Sequence, residues 1–280
     1  MIALKVSSIL PVYNSQSTLA RAIESLLIQP EINQIVLIDD GSTDGTLDIC
    51  QSYASAYPHI QLLRHEGGVN RGAPASRNLG VSLVKNQWIQ FMDADDELLP
   101  GKIADQLAEV KSNEALVIGK FSFHENDKVS VIKPLKDPWS GLISTKLGIN
   151  SSILWSLEWI KKAGGWNETL PNMQEYYLMF EILKLGGKVA YSQSNLTRVF
   201  SQPDSITNSP LLRQEKRDNY FVFREKVKNY LLSIHQFSLR RIHHYEVCTG
   251  KMLRYHTPAF PVTHNKVYFF VYKSIKTLIS

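Results

Sequence analysis

The sequence predicts an α/β protein whose core is an open, mostly parallel sheet flanked by helices. Three observations lead to this prediction. Short apolar runs alternate with segments whose apolar residues recur at helical spacing, and the connections between them are short. Three of the apolar runs are each followed by a cluster of polar residues, at Asp39, Asn70 and Asp93. Because open sheets of this kind bind ligands at the carboxyl ends of their strands, the three clusters are expected to lie on one edge.

The first half of the chain predicts four strands separated by helices. Residues 4–10 form the first apolar run, which Pro11 ends, and a helix capped by Ser17 or Thr18 follows. A glycine-rich loop at residues 67–72 leads into another helix. The other predicted strands cover residues 34–38, 60–63 and 88–92. Runs this apolar suit a parallel sheet that is buried on both faces.

The second half is rich in strands at first and helical towards its end. The predicted strands are at residues 115–119, 129–132, 152–155, 189–192 and 197–200, and the predicted helices are at residues 159–163 and 174–185. Helical spacing dominates from Pro210 to about Tyr255. We therefore expect a main domain over residues 1–210 and a helical, basic C-terminal extension over residues 211–280.

Charge is unevenly distributed along the chain. Residues 211–280 contain 13 Lys and Arg against 4 Asp and Glu, whereas residues 1–210 contain 18 against 22. The basic extension is expected to meet a polyanion, for which membrane lipid and nucleic acid are both candidates, or to be a solvated helical face. Cys50 and Cys248 match no metal-ligand spacing and are expected to be free thiols in a reducing compartment.

We expect a cytoplasmic protein that can contact the inner face of the plasma membrane, without a nucleic-acid partner. No signal peptide is expected, because Lys5 interrupts the first apolar residues and Pro11 closes them. No apolar run reaches the roughly 18 residues of a membrane-spanning helix. Residues 267–279 are apolar and aromatic with interspersed lysines, which suits a helix lying in a membrane surface. Packing of this segment onto the protein is the alternative.

An acidic cluster follows the fourth predicted strand. Asp93, Asp95 and Asp96 come directly after Phe91-Met92, and Pro100-Gly101 indicate a turn. Three like charges in one turn repel one another, so a positive group is expected to share the site. Oxygen ligands on a turn suit Mg²⁺ or Mn²⁺ bound together with the phosphates of a substrate. A solvated acidic turn with helix-capping aspartates is the alternative.

Several common site motifs are absent from the sequence. It has no G-x-x-x-x-G-K-[ST] phosphate loop, no G-x-G-x-x-G after the first strand and no G-x-S-x-G elbow. These absences disfavour P-loop ATPases, dinucleotide-dependent enzymes and serine hydrolases. The eight histidines form no H-E-x-x-H zinc arrangement.

Four other motifs occur in a fixed order. They are Pro11-Val12-Tyr13-Asn14, then Asp39-Asp40-Gly41-Ser42-Thr43-Asp44, then Asn70-x-Gly72 with Ala75-x-Arg77-Asn78-x-Gly80, and finally Asp93-Ala94-Asp95-Asp96. In this order and spacing the set resembles the family 2 glycosyltransferases, which are inverting enzymes with a GT-A fold. The resemblance covers residues 4–100 closely and continues more loosely as far as Arg198. It implies a GT-A catalytic domain over residues 1–210.

The resemblance implies roles for the residues on the donor side of the site. Pro11 and Tyr13 can pack against a planar base, and Asp39 can accept a hydrogen bond from a uracil-like N–H. Asp93 is expected to reach the ribose. Asp95 is expected to hold the metal, Mn²⁺ or Mg²⁺, against the diphosphate.

The acceptor side needs one base opposite the leaving group, to take the proton of the acceptor hydroxyl. The family commonly has Glu-Asp at the start of a helix, where this chain has Gln174-Glu175. Glu175 is therefore the expected base, with a surface glutamate as the alternative. Arg198 matches a family arginine near the diphosphate, but the histidine often found two positions later is Phe200 here. Arg77 and Asn78 are expected to orient Asp95 or the donor sugar, or to belong to a structural bond network.

Together these residues predict a metal-dependent, inverting glycosyltransferase of the hexosyltransferase type. Its expected donor is a nucleoside diphosphate sugar, with UDP favoured, and its acceptor a hydroxyl of a saccharide or lipid-linked saccharide in cell-surface polysaccharide or glycolipid synthesis. A sugar-1-phosphate nucleotidyltransferase is one alternative, although those enzymes normally have a basic, glycine-rich loop after the first strand. A non-catalytic nucleotide-binding subunit is the other, favoured only by Gln174 and Phe200. The sequence does not predict the sugar or the linkage, and it leaves room for an oligomer.

Overall fold

A nine-stranded sheet forms the centre of the computed structural model, which describes residues 4–201 and 213–279. Within these residues the strands are β1 (Val6–Val12), β2 (Ile32–Asp39), β3 (Ile60–Arg64), β4 (Trp88–Phe91), β5 (Glu97–Leu98), β6 (Glu114–Glu125), β7 (Lys128–Ile132), β8 (Ile153–Ser156) and β9 (Lys188–Phe200). The helices are α1 (Leu19–Leu27), α2 (Thr46–Ala56), α3 (Ala73–Leu83), α4 (Lys102–Ala108), α5 (Pro138–Ser144), α6 (Leu157–Lys162), α7 (Gln174–Lys184), α8 (Arg213–Ser233), α9 (Leu239–Met252) and α10 (Lys266–Ile279).

The strands follow the order β3-β2-β1-β4-β8-β6-β9-β5, and β7 pairs with β6 outside this path. The first four strands of this order are parallel. Beyond β4 the sheet is mixed, because β8 runs antiparallel to β4 and β6 whereas β9 is parallel to β6. The predicted α/β class is confirmed, and the parallel part of the sheet is the part that the first half of the sequence forms.

Different apolar clusters cover the two faces of the sheet. Ile9 and Val36 belong to one cluster, and their neighbours Leu10 and Leu37 belong to the other. Successive side chains of a strand point to opposite faces, which explains why residues 9–10 of β1 and residues 35–38 of β2 are apolar without alternation. Gly80 allows α3 to pack closely on this platform, because a Cβ there would lie 2.5 Å from Cγ2 of Ile9. The loops at the end of the parallel strands are therefore held on a rigid base.

Two short helices and the length of two strands differ from the sequence prediction. Helices α4 and α5 each have seven residues, too few for a clear helical period of apolar positions. Strand β6 continues to residue 125, beyond the predicted end at 119. The two pieces predicted at residues 189–192 and 197–200 are parts of the single strand β9, whose register against β6 shifts along its length. These register shifts explain why the sequence predicted two separate strands here.

The C-terminal helices pack on the main body of the protein. Phe223, Val227 and Leu231 of α8 are buried in the same apolar cluster as Trp155 of β8. The predicted boundary between residues 210 and 211 lies outside the described residues, so the division into two domains stays a prediction. Among the helices of the described ranges, none is both long and apolar enough to cross a lipid bilayer.

Candidate active site

The loops that follow β1, β2 and β4 lie side by side at one edge of the sheet. Val12 at the end of β1 is paired with Asp39 at the end of β2, and Ile9 is paired with Phe91 at the end of β4. Backbone hydrogen bonds extend these pairings into the loops, since the N–H of Asp40 donates to the carbonyl of Val12 at 2.8 Å. The loop that contains Asn70 follows β3, whose last residue Arg64 is paired with Asp39. The three polar clusters predicted for one edge, at Asp39, Asn70 and Asp93, therefore lie there.

Asp39 is fully buried at this edge and is bonded on both carboxylate oxygens. Oδ2 accepts from Nε of Arg64 at 2.7 Å, and Oδ1 accepts from the backbone N–H of Ser42 at 3.2 Å. Each carboxylate oxygen has a second acceptor site that these two bonds do not use. The role of Asp39 in base binding stays a prediction. No sequence pattern indicated Arg64 as its partner, because the two residues lie 25 positions apart.

Asp40 holds the glycine-rich loop against the end of β2. Its Oδ1 accepts from the backbone N–H of Arg71 at 2.7 Å, and its Oδ2 accepts from that of Gly72 at 2.9 Å. The approach is close, because a Cβ on Gly41 would lie 2.7 Å from the carbonyl oxygen of Gly68. Gly41 also has a φ of +81°, which L side chains rarely adopt. Only glycine suits this crossing of two loops.

The loop after β1 presents an aromatic ring beside these two loops. Tyr13 is 41% exposed, and Pro11 is half-buried near the end of β1. Asn14 fixes the loop to its neighbour, because its Oδ1 accepts from the backbone N–H of Thr43 at 2.8 Å. Tyr13 thus presents an exposed ring on the loop next to Asp39, which is compatible with stacking on a planar base.

The acid turn, Asp93 to Asp96, carries three carboxylates with different partners. Asp96 is 2% exposed, and its Oδ2 accepts from Oγ of Ser151 at 2.5 Å. Burial, together with the charges of Asp93 and Asp95, raises the pKa of Asp96 well above its usual range. Asp96 is therefore a structural residue of the turn. The structure leaves Asp93 and Asp95 as the acids available for ligand chemistry.

Asp95 combines a perturbed carboxyl group with an anchored backbone. Burial, followed by the nearby charge of Asp93, raises the pKa of Asp95 to about 6. Its backbone carbonyl accepts from Nη2 of Arg21 at 2.5 Å, so helix α1 holds the turn in place. The guanidinium of Arg21 also lies 4.0 Å from the ring centre of Phe200. Arg21 was not among the residues singled out from the sequence, and it connects the turn to β9.

Arg77 places a positive charge beside one of the three acids of the turn. It is buried on α3, and its Nη2 donates to Oδ1 of Asp93 at 2.7 Å. Its guanidinium also lies 4.7 Å from the ring centre of Trp166. Burial raises the pKa of Glu175, the positive charge of Arg77 lowers it and the negative charge of Asp93 raises it. Asp93 and Arg77 thus form an ion pair, and the charges of both act on the carboxyl of Glu175.

Glu175 lies at the start of α7, as the sequence predicted. The helix begins directly after Met173, whose φ of 59° turns the chain sharply. Gln174 donates through Nε2 to the backbone carbonyl of Leu170 at 3.1 Å, so it stabilises the turn that leads into the helix. The structure thus gives Gln174 a structural partner, whereas Glu175 lies in the first turn of α7, where the positive charge of Arg77 lowers its pKa.

Arg198 lies on β9 next to β5. Its Nη1 is 3.3 Å from Oε2 of Glu97, and the two residues are paired across the strands. Phe200 packs against the ring of His124, with ring centres 5.0 Å apart, and against Arg21. The position where the family often has histidine is thus filled by an aromatic contact. Arg198 keeps a side chain that is 43% exposed, and its contact with a diphosphate stays a prediction.

The donor groups of the acid turn fit a divalent cation that arrives with a diphosphate. Within the described residues, no group of three or more His, Cys, Asp or Glu side chains is arranged to hold a metal ion. Because Asp93 is bonded to Arg77, Asp95 is the better ligand, and a cation would offset both the burial of its charge and the repulsion from Asp93. Mg²⁺ is commonly bound through one or two carboxylates, with phosphates and waters as its other ligands.

Comparison with curated proteins finds partial relatives. The chain is 39% identical over 97 residues to an uncharacterised glycosyltransferase, YibD, of Escherichia coli K12, covering 34% of this chain and 27% of that protein. It is 41% identical over 97 residues to the minor teichoic acid biosynthesis protein GgaA of Bacillus subtilis, covering 32% and 21%. The chain spans from 15% to 41% of the length of such relatives.

Two solved structures have a similar fold. The structure of S. aureus TarS 1–349 in complex with UDP-GlcNAc has a TM-score of 0.64 at 17% identity, over 90% of this chain and 81% of that one. The mannosyltransferase PcManGT of Pyrobaculum calidifontis, in complex with GDP-Man and Mn²⁺, has a TM-score of 0.63 at 14% identity, over 98% and 80%. At these identities the likeness concerns the fold alone, and it confirms the predicted GT-A fold.

The model of the family described as Glycosyl transferase family 2 matches residues 7–162. This match contains β1 to β4, the glycine-rich loop and the acid turn, and it covers more than half of the chain. The protein therefore belongs to glycosyl transferase family 2.

Proposed function

We propose that the chain is an inverting glycosyltransferase that moves a sugar from a nucleoside diphosphate to a hydroxyl acceptor. The observations that carry this proposal are the ion pair of Asp93 and Arg77 at the carboxyl edge of the parallel strands and the position of Glu175 at the start of α7, where the charges of both residues act on its pKa. Together they combine an acid on the donor side with a half-buried glutamate at a helix start. One carboxylate can thus take a proton while the other belongs to the donor site.

On the donor side, Tyr13 packs against the base and Asp39 accepts a hydrogen bond from it. Asp93 accepts a hydrogen bond from the ribose through the oxygen that Arg77 does not occupy. Asp95 would hold Mn²⁺ or Mg²⁺, which when bound supplies positive charge to the leaving diphosphate. Arg198 adds a further positive charge near this group.

On the acceptor side, Glu175 accepts the proton of the attacking hydroxyl. The acceptor oxygen then forms a bond to the anomeric carbon while the bond from that carbon to the diphosphate oxygen breaks. The bonding electrons leave with the nucleoside diphosphate, and the configuration at the anomeric carbon inverts. The raised pKa of Glu175 suits this role, because a base is most effective when its pKa lies close to the working pH.

A donor panel tests the reaction and the base together. Release of nucleoside diphosphate is measured with UDP-GlcNAc, UDP-glucose, UDP-galactose, GDP-mannose and dTDP-glucose, with Mn²⁺ present and water as acceptor. UDP-sugars are expected to react first, and the two solved neighbours that hold UDP-GlcNAc and GDP-Man support testing both nucleotides. Glu175→Gln is expected to lower the turnover about 100-fold or more, as loss of a general base does, with little change in donor affinity.

Other outcomes of this donor panel would favour a non-catalytic protein or a different base. No release from any donor by the parent chain, together with tight UDP binding, would favour a non-catalytic nucleotide-binding subunit. A Glu175→Gln variant as active as the parent would assign the base to another acid, and Glu168 in the preceding loop would be tested next. The motif Pro11-Val12-Tyr13-Asn14 in place of a basic glycine-rich loop disfavours a nucleotidyltransferase.

The acceptor is proposed to be a saccharide or lipid-linked saccharide of a cell-surface polymer. Partial relatives include a poly(ribitol-phosphate) beta-glucosyltransferase of Bacillus spizizenii and the succinoglycan biosynthesis protein ExoU of Rhizobium meliloti. Such polymers are assembled on cells, so an enzyme acting on them gains from being near the membrane. We therefore include a reversible contact with the cytoplasmic membrane surface in the proposed function.

Helix α10 has two apolar faces, which differ in how far the described part of the chain covers them. Phe269 is 9% exposed and packs on α9, where a Cβ on Gly250 would lie 2.5 Å from its ring. The outer face of α10, by contrast, consists of Val267, Phe270 and Val271, which are 73%, 70% and 49% exposed. One side of the helix thus packs on the protein, and the exposure of the other side supports the membrane contact.

Basic side chains accompany the outer face of α10. A groove of about 300 Å³ beside it is lined by residues that include Arg254, Lys266 and Lys273, and the lining residues within the described ranges include no acid. Residues 211–280 carry an excess of nine positive charges. Each basic residue near an anionic leaflet contributes about 1 kcal/mol to binding, so an anionic lipid surface is the partner that complements both the charge and the apolar face.

A further inference from the structure

Asn78, the residue after Arg77 on α3, clamps the loop that leads to the proposed base. Its Oδ1 accepts from the backbone N–H of Trp166 at 2.8 Å, and its Nδ2 donates to the backbone carbonyl of Trp166 at 2.9 Å. The same Nδ2 donates to Oε1 of Glu168 at 2.7 Å. A primary amide can make four hydrogen bonds, and Asn78 directs three of them to one short segment. The clamp joins positions 88 and 90 residues apart in the chain.

The clamped segment is shaped to accept this contact. Gly165 has a φ of +79°, and a Cβ there would lie 2.9 Å from Oδ1 of Asn78. Trp166 is 3% exposed, with its ring centre 5.0 Å from that of Phe91 at the end of β4 and 4.7 Å from the guanidinium of Arg77. The segment is thus held against α3 by hydrogen bonds and against the strand that leads to the acid turn by ring contacts.

Side-chain contacts of this kind decide where α7 begins. Residues 164–173, between α6 and α7, contain no helix or strand, so no backbone ladder fixes their path. Asn219 of α8 holds the end of the segment, since it donates to Oδ1 of Asn172 at 2.8 Å and accepts from the hydroxyl of Tyr177 at 2.8 Å. The segment is therefore anchored at two places, and the anchor next to Arg77 is the one formed by Asn78.

We infer that Asn78 is a positioning residue, which sets the location of Glu175 relative to Asp93 and hence to the donor. Two consecutive residues of one helix then have complementary roles, because Arg77 binds the donor-side acid and Asn78 fixes the segment that leads to the acceptor-side base. This inference rests on the proposed function, in which Glu175 is the base. A misplacement of about 1 Å in such a group can lower the rate by about 100-fold, so loss of the clamp is expected to affect turnover.

A double-mutant cycle between Asn78→Ala and Glu175→Gln tests this inference. Nucleoside diphosphate release is measured with the donor that the panel selects. In the parent background, Asn78→Ala is expected to lower kcat by about 10-fold to 100-fold and to change the donor KM by less than about 2-fold. In the Glu175→Gln background the same substitution is expected to lower kcat by less than about 3-fold, because the residue through which Asn78 acts is already disabled.

Asn86→Ala is the matched control. The side-chain amide of Asn86 donates to Oγ of Ser7 at 2.9 Å and to Oδ1 of Asn33 at 2.6 Å, and Asn86 precedes β4 at the edge opposite the acid turn. Its loss is expected to leave kcat unchanged in both backgrounds. If Asn78→Ala lowers the melting temperature below the assay range, Asn78→Asp keeps the acceptor for the N–H of Trp166 and is used in the same cycle.

The outcomes distinguish the inference from the proposal on which it rests. An equal loss of kcat from the Asn78 substitution in both backgrounds would overturn the positioning role, since the effect would not pass through Glu175. A loss confined to donor KM would overturn it as well. Parent-like turnover of Glu175→Gln alone would instead remove the base assignment.

Discussion

Replacing Arg77 by methionine would remove the charge that lies between the two sides of the site. The Arg77 side chain is 6% exposed, donates to Asp93 at 2.7 Å and lies on the ring of Trp166. Methionine keeps a long side chain for the contact with Trp166 but has no positive charge and no N–H groups. Arg77→Met therefore tests the electrostatic role of the arginine with the least change in packing.

The first expected effect of Arg77→Met is on stability. A hydrogen bond to a charged group contributes roughly 1.5–3 kcal/mol, and because Asp93 is 35% exposed, water replaces part of it. A loss of about 1.5 kcal/mol in the free energy of unfolding is expected, which corresponds to a melting temperature about 3–6 °C lower for a chain of this size. The melt is followed by circular dichroism.

The second expected effect is on the pH dependence of turnover. Arg77 lowers the pKa of Glu175, which burial raises, so without Arg77 this pKa rises further. A base must be ionised to accept a proton, so with Glu175 as the proposed base the activity is expected to fall as the pH drops through the pKa of Glu175. The acid limb of the kcat profile is expected to move to higher pH in the variant.

Lys85→Met is the control for Arg77→Met, because it removes a positive charge from an exposed position before β4. Its profile is expected to match that of the parent. An acid limb of Arg77→Met that stays in place, or that moves to lower pH, would refute the electrostatic grouping of Arg77 with Glu175.

Three further predictions concern other parts of the structure. Asp95→Asn is expected to remove the dependence of UDP binding on Mn²⁺ in calorimetry, whereas parent affinity that is the same with Mn²⁺ and with EDTA would contradict the metal assignment. Serines at all three positions of the outer face of α10 are expected to abolish co-sedimentation of the protein with phosphatidylglycerol liposomes at low salt. As a control, serines at the exposed Val129 and Val131 of β7 are expected to leave co-sedimentation intact. Binding of the parent protein to neutral liposomes alone would contradict the charge argument. Gly41→Ala is expected to lower the free energy of unfolding by about 2 kcal/mol or more. Gly101→Ala is the control and is expected to cost clearly less, because Gly101 has the same φ of +81° but no atom within 4 Å of the added Cβ. Equal losses of unfolding free energy in the two variants would mean that the loop crossing tolerates the methyl group.

The strands and loops of the first half could be predicted from the sequence for physical reasons. β1, β2 and β4 are buried on both faces, so they appear as continuous apolar runs, and each is followed by polar residues. Carboxyl ends of parallel strands share an edge, so Asp39 and Asp93 could be assigned to one site from the sequence alone. Glu175 could be added only through the resemblance to a family, because nothing in its local pattern separates it from a surface glutamate.

The contacts that hold the site together could not be predicted in this way. Arg21 meets the carbonyl of Asp95 across 74 positions of the chain, and Asn78 meets Trp166 across 88. Such pairings depend on how helices pack on the sheet, which no short sequence pattern encodes. The same limit applies to Asp96, which stands beside Asp95 in the sequence but is bonded to Ser151 and buried.

The crowding of carboxyl groups at the acid turn also lowers the stability of the free protein. A carboxyl whose pKa is raised on folding, from 3.8 to about 6 in Asp95, binds protons more tightly in the folded chain than in the unfolded one. The contribution of Asp95 to the free energy of unfolding is therefore most favourable below pH 3.8 and decreases as the pH rises through 6. By neutral pH this decrease amounts to about 3 kcal/mol. The protein without ligand thus has a lower folding stability because of this turn, and a cation bound at Asp95, as proposed, would restore part of it. The chain should melt at a higher temperature at pH 5 than at pH 7, and the gain on adding a ligand should be largest at the higher pH.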